Sequence, residues 1–144
     1  MSETILRRAT TADAGRIREL CGQLGYDTSV EKVRERIGKT IAATDTAVFI
    51  AEEKGVVQGW IQVSIRSAIE SGEFVEITGL VVNESSRGQG IGASLVRRAE
   101  IWAAESGHSA IRVRTNILRT GTHDFYRKLG FNEMKRQTVF LKEL

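Results

Sequence analysis

A chain of 144 residues fits one domain, residues 1–144, around one substantial core, and its 41% hydrophobic and 27% charged content excludes global disorder. No apolar run is long enough to cross a bilayer as a helix, and Met1-Ser2-Glu3 opens no secretory signal, so a cytoplasmic protein away from membranes is expected. The net charge of +3 suits an anionic ligand, but Lys and Arg are scattered among acids, apart from Lys135-Arg136, and give no nucleic-acid footprint.

Residues 4–9 read as a short strand. Thr10-Thr11-Ala12-Asp13 resembles a capping box and starts a helix with Ile17, Leu20, Cys21 and Leu24 on one side, stopped by Gly25. Cys21 is the only cysteine, so an intrachain disulfide and a multi-cysteine zinc site are excluded, and its apolar neighbours predict a buried thiol rather than a nucleophile. His108 and His123 have no acidic or sulfur partners at ligand spacing, so no metal site is expected. Thr28-Ser29-Val30-Glu31 starts a second helix, with Val30, Val33, Ile37 and Ile41 at spacings of three and four.

The middle of the chain changes period. Residues 47–51 form an apolar run, Glu53-Lys54-Gly55 makes a hairpin turn, and residues 56–66 alternate around Val57, Gly59, Ile61, Val63 and Ile65. A turn at residues 70–73 leads into a strand over 74–82, so three strands form an antiparallel meander. After Arg87 a helical stripe of Ile91, Leu95, Ala99, Trp102 and Ala103 runs to Ser106-Gly107. Residues 110–115 alternate as a strand, Phe125 and Leu129 before Gly130 mark a short helix, and residues 138–141 read as a final strand. The order β-α-α-β-β-β-α-β-α-β is a mixed α/β (α+β) fold. No proline is present, so Gly, Asn, Asp and Ser make the turns.

Between the strand ending Leu80-Val81-Val82 and the helix opening at Ile91 lies Arg87-Gly88-Gln89-Gly90-Ile91-Gly92. Glycines let the backbone approach an anion closely, and the free N–H groups and dipole of a helix start favour phosphate. Arg87 adds a fork of donors. Gly88-Gln89-Gly90-Ile91-Gly92-Ala93 also satisfies the dinucleotide fingerprint. The next strand, however, carries Arg112 and Arg114 where a ribose-binding acid belongs, and too few residues follow to complete that fold. The absence of Gly-Lys-Ser/Thr excludes a P-loop.

The loop resembles the acyl-CoA loop, [QR]-x-x-G-x-[GA], of the GNAT N-acetyltransferase family. His123-Asp124-Phe125-Tyr126-Arg127-Lys128-Leu129-Gly130-Phe131 is similar to that family's F-Y-x-x-x-G-F segment, one strand and one helix downstream. The resemblance implies acetyl-CoA as co-substrate and transfer of its acetyl group to a primary amine, most readily that of a small molecule. It implies cofactor contacts from Leu80, Val81, Val82, Arg87, Gly88, Gln89, Gly90, Ile91 and Gly92, with the Val81 or Val82 N–H polarising the acetyl carbonyl. Tyr126 matches the general acid for the CoA thiolate, and Glu76 the position of a general base acting directly or through water. The family's usual Asn and Ala before the tyrosine are Arg119 and Thr122 here, with Asn116 as the candidate replacement contact. The stretch from Thr115 to Tyr126 resembles the branch containing the aminoalkylphosphonate acetyltransferases.

Asp27, Glu31, Glu70, Glu73 and Glu76 favour a cationic acceptor, whereas Arg66 suits an anionic one; the residues leave both open. Two other readings of the loop are a non-catalytic acyl-CoA-binding module and a nucleotide-dependent oxidoreductase. Homodimers are common among similar proteins, and the expected C-terminal strand offers an edge for pairing.

Overall fold

The structure, a computed structural model, describes residues 3–115 and 117–144. It comprises two compact units, Met1–Arg114 and Thr115–Leu144. The first holds β1 (Thr4–Arg8), α1 (Ala14–Gln23), α2 (Val30–Ala42), β2 (Thr46–Glu53), β3 (Val56–Ala68), β4 (Gly72–Val82), α3 (Ile91–Glu105) and β5 (Ile111–Val113). Their sheet order is β1-β2-β3-β4-β5. The first four strands are antiparallel, and β5 joins β4 in parallel after the α3 crossover.

Local chemistry accounts for most boundaries. The Thr10 N–H donates to Asp13 Oδ2 at 2.8 Å, and a 3-10 turn over Thr11–Asp13 feeds α1. Arg7 clamps the same carboxylate, with Nη1 and Nη2 each 2.9 Å from an oxygen, and so ties β1 to the start of α1. This guanidinium holds the Asp13 carboxyl below its ordinary pKa. Ser29 caps α2 by accepting from the Lys32 N–H at 3.2 Å. Lys54 and Gly55 both have positive φ, 52° and 79°, the pattern of a tight two-residue hairpin turn. β3 and β4 extend beyond the expected 56–66 and 74–82, which shortens their turn to residues 69–71, while β5 is shorter than the expected 110–115. Ile41, expected on the apolar stripe of α2, is 57% exposed; Val33 and Ile37 are the buried members.

The two faces of the sheet are covered differently. Gly59 faces α3, where an added Cβ would meet Ile91 and Leu95, and alternation puts Ile61 and Val63 on the same side. Ile17, Leu20, Val33 and Ile37 of α1 and α2 pack on the other face with Val48, Ile50, Val81 and the partly buried Trp60. Cys21 and Leu24 sit against this cluster, and burial pushes the Cys21 thiol pKa up, which keeps it protonated.

The second unit holds α4 (Thr120–Lys128). It ends as expected at Gly130, with φ 95°, and the N–H groups of Leu129 and Phe131 both donate to the Tyr126 carbonyl at 3.0 Å. The strand expected over residues 138–141 is not formed. A strand exists through its neighbour's hydrogen bonds, and residues 131–144 pair with no strand among the described residues. Val139, Phe140 and Leu141 are instead 84%, 90% and 86% exposed.

A β-bulge shifts the β3–β4 register between Gln62 and Val63, so that Gln62 faces Gly79 and Val63 faces Ile77. Thr78 is the extra residue. A Cβ on Gly79 would lie 2.8 and 2.9 Å from the outer ring carbons of Trp60. Gly79→Ala would gain about 0.4–1 kcal/mol from unfolded-state entropy but lose about 1–3 kcal/mol to overpacking, so the collision wins. Urea denaturation is expected to register a net loss, partly restored by adding Trp60→Phe; an unchanged midpoint in the single variant would show the indole to be free to move.

Candidate active site

β4 separates from β5 in mid-strand. Their pairing covers Val75–Ile111, Glu76–Arg112 and Ile77–Val113 and then stops. Beyond the bulge, Gly79, Leu80, Val81 and Val82 remain paired to β3 but have no strand on their other edge among the described residues. Backbone donors and acceptors there are available to an extended ligand, as β-strand addition requires. Val81 is 4% exposed, its side chain committed to the core, while Leu80 and Val82 are half-buried.

The segment after β4 is held by a polar network. The Asn83 N–H donates to the Gln58 carbonyl at 2.7 Å, and Asn83 Nδ2 and Ser86 Oγ both donate to Gln58 Oε1 at 2.9 Å. From α1, Gln23 Nε2 donates to Asn83 Oδ1 at 3.0 Å and Gln23 Oε1 accepts from the Glu84 N–H at 2.9 Å. A 3-10 turn over Glu84–Ser86 follows, then extended Arg87. Gly88 and Gly90 each have φ 81°, a conformation that glycine adopts without strain. Gly90 is the residue preceding α3, and its carbonyl accepts the Ser94 N–H at 3.0 Å. Arg87, Gly88, Gln89 and Gly90 are exposed, whereas Ile91 is buried and anchors the helix start, with Gly92 in its first turn. The result is an exposed run of backbone N–H groups at the positive end of a 15-residue helix, a geometry made for phosphate.

Sequence patterning overlooked Gln23, Gln58, Asn83 and Ser86. Ser86 and Asn83 border the loop, but Gln23 is sixty-one residues from Glu84 and carried no signal beyond its place at the end of α1.

Glu76 is 5% exposed, one of the few buried charges. Its Oε2 accepts from Arg114 Nε at 3.1 Å and lies 4.0 Å from Arg112 Nε. Burial of this carboxylate is therefore accompanied by an ion pair. Tyr126 belongs to the second unit, in α4, and is 6% exposed. Edge-to-face contacts bracket its ring, with Phe125 at 5.0 Å and Phe131 at 5.3 Å. Burial pushes its phenol pKa up to about 12. Asn116 lies outside the described residues. Among the described residues no group of three or more His, Cys, Asp and Glu side chains is arranged to hold a metal ion. No helix among them is long and apolar enough to cross a membrane.

Known proteins resemble the chain along most of its length. The chain is 29% identical over 130 residues to the aminoalkylphosphonate N-acetyltransferase of Salmonella typhimurium, covering 89% of this chain and 84% of that one. It is 27% identical over 150 residues to an aminoglycoside N(6')-acetyltransferase type 1 of Klebsiella aerogenes, covering 99% of each. The fold matches that of the aminoglycoside N-acetyltransferase AAC(6')-Iy in complex with CoA, with a TM-score of 0.90, 24% identity, and coverage of 100% of this chain and 97% of that one. The profile of the Acetyltransferase (GNAT) family matches residues 16–131, a stretch that contains β4, the glycine loop, α3 and α4. The chain belongs to the GNAT family of acetyltransferases.

Proposed function

We propose that the chain acts as one domain that transfers the acetyl group of acetyl-CoA to the primary amine of a small molecule. The observation that carries this reading is the exposed Arg87–Gly92 turn at the start of α3, continuous with the unpartnered edge of β4. The turn suits the CoA pyrophosphate, and the β4 edge suits the amide-bearing pantetheine arm. The family profile runs through both units, which supports a single working domain.

In this mechanism the neutral amine attacks the thioester carbonyl carbon and the C–S bond breaks. The Val81 or Val82 N–H stabilises the carbonyl oxygen as it gains charge. Glu76 takes the amine's proton, directly or through water; this role falls to Oε1, because both arginines approach Oε2. Tyr126 gives its proton to the leaving thiolate, and solvent exchange restores both groups. A phenol with a pKa of about 12 stays protonated at neutral pH, as an acid must.

Thiol release from acetyl-CoA in the presence of an amine panel tests the reaction. Tyr126→Phe is expected to lower kcat by about a hundredfold or more while acetyl-CoA still binds; unchanged turnover would favour a non-catalytic acyl-CoA-binding module. Because the raised pKa moves ionisation of Tyr126 far above neutrality, the wild-type kcat profile should show no decline attributable to it until the pH nears 12. Gly90→Val forces a β-branched residue into the left-handed region and is expected to weaken acetyl-CoA binding about tenfold or more in calorimetry. Unaltered affinity would remove the loop from the cofactor site.

We also infer that the chain forms a homodimer. The support is the exposed apolar run Val139-Phe140-Leu141 in a segment without a strand partner, which a second copy's sheet edge would complete. Light scattering should give about twice the 15.9 kDa chain mass, falling to the monomer value in Phe140→Asp. A wild-type monomer would overturn this.

A further inference from the structure

The sheet face that carries α1 and α2 changes character along its length. Trp60, Gln62, Ser64 and Arg66 alternate onto this face of β3. At one end Trp60 lies in the apolar cluster with Ile50 and Val81. Toward the other end polar residues take over. Thr46, Ser64, Glu76 and Arg112 form one cross-strand row over four strands, and Arg66 and Phe74 pair in the next. Thr46 Oγ1 and Ser64 Oγ are 2.8 Å apart.

Two guanidiniums approach one carboxylate here, and a third arginine, Arg66, stands in the neighbouring row. Arg114, with 58% of its side chain exposed, holds Glu76, and Arg112 lies over Phe74, its guanidinium carbon 3.2 Å from the ring centroid. Arg66 is exposed opposite Phe74, and its guanidinium has no ion pair or hydrogen bond with any described residue. Glu73 alternates onto the opposite face, toward His108, whose Nε2 is 3.6 Å away. Glu70 lies in the exposed β3–β4 turn, and Asp27 and Glu31 are exposed near the start of α2. The local balance is two positive charges, carried by planar forks whose geometry matches carboxylate, phosphate or phosphonate.

We propose that Arg66, Arg112 and Arg114 form an anion subsite for the acceptor, so that the substrate is a primary amine bearing a phosphonate, phosphate or carboxylate group rather than a polycationic amine. This rests on the reading of the chain as an amine acetyltransferase with Glu76 beside the reacting amine. The Arg66–Phe74 row is two residues from Glu76 along β4, about 7 Å at the rise of a strand. That distance is within the span of one small amine with a charged tail. Glu76 cancels part of the field and holds Arg114, while Phe74 orients Arg112. Arg66 is the donor group left for the ligand.

The test compares 2-aminoethylphosphonate, phosphoethanolamine and β-alanine with ethanolamine and with neamine. At least one anionic amine is expected to exceed both of the others in kcat/KM by about tenfold, the worth of one charge-assisted contact. Arg66→Ala should lower the ratio of kcat/KM for the anionic amine over ethanolamine by a similar factor, through KM, with part of the ratio regained in Arg66→Lys. Preference for neamine or ethanolamine, or a ratio untouched by Arg66→Ala, overturns the subsite. If no amine releases thiol, the acetyltransferase reading fails separately. Calorimetric titration of 2-aminoethylphosphonate into wild type and Arg66→Ala then decides the subsite, with equal or absent binding counting against it.

Discussion

The bulge at Thr78 and the contact of Gly79 with Trp60 are the constraint on which the site depends. One extra residue bends β4 away from β5 just past Ile77 and frees the backbone edge that leads to the glycine loop. The absence of a side chain at Gly79 lets the indole lie against that strand from beneath α1 and α2. A side chain there would push the ring or the strand, and both Leu80 and the loop entrance would follow. Packing on one face thereby sets the position of the unpaired backbone groups at the edge.

Around this constraint the electrostatics divide in two. At the C-terminal end of β4 the positive potential comes from main-chain N–H groups and the start of α3, and needs no ionisable side chain beyond Arg87. Nearer the N-terminal end of β4 it comes from guanidiniums grouped around a buried carboxylate. The modest excess of basic residues in the sequence is therefore used locally rather than spread as a field. Phe49 illustrates the economy of the remaining arginines: Arg8 and Arg98 approach its buried ring at 4.9 and 4.3 Å, in a role that concerns packing.

Much of this architecture is legible in the sequence. Capping residues at Thr10, Asp13 and Ser29, the Lys54-Gly55 turn and the alternation in β3 all act over a few residues, so spacing exposes them. The glycine loop was legible for the same reason. Four features were not. The Gln23–Asn83 bond and the Glu76–Arg114 pair join residues 60 and 38 apart, and nothing local marks either end. The bulge at Thr78 leaves the hydrophobic pattern nearly intact, because Ile77 and Val81 are both buried but on different faces. Residues 138–141 have the composition of a strand, but composition cannot supply the neighbouring strand that would make them one.

The brevity of the parallel pairing has a consequence for motion. β3 and β4 share ten paired residues, whereas β5 is held to β4 by three. Amides in the β3–β4 ladder should exchange with deuterium only on global unfolding, while those of β5 open through local fluctuation. Arg112 and Arg114 ride at and just beyond that weaker strand. The end of β4 that leads to the glycine loop is thus a fixed platform, and the end that pairs with β5 is the side able to adjust its shape.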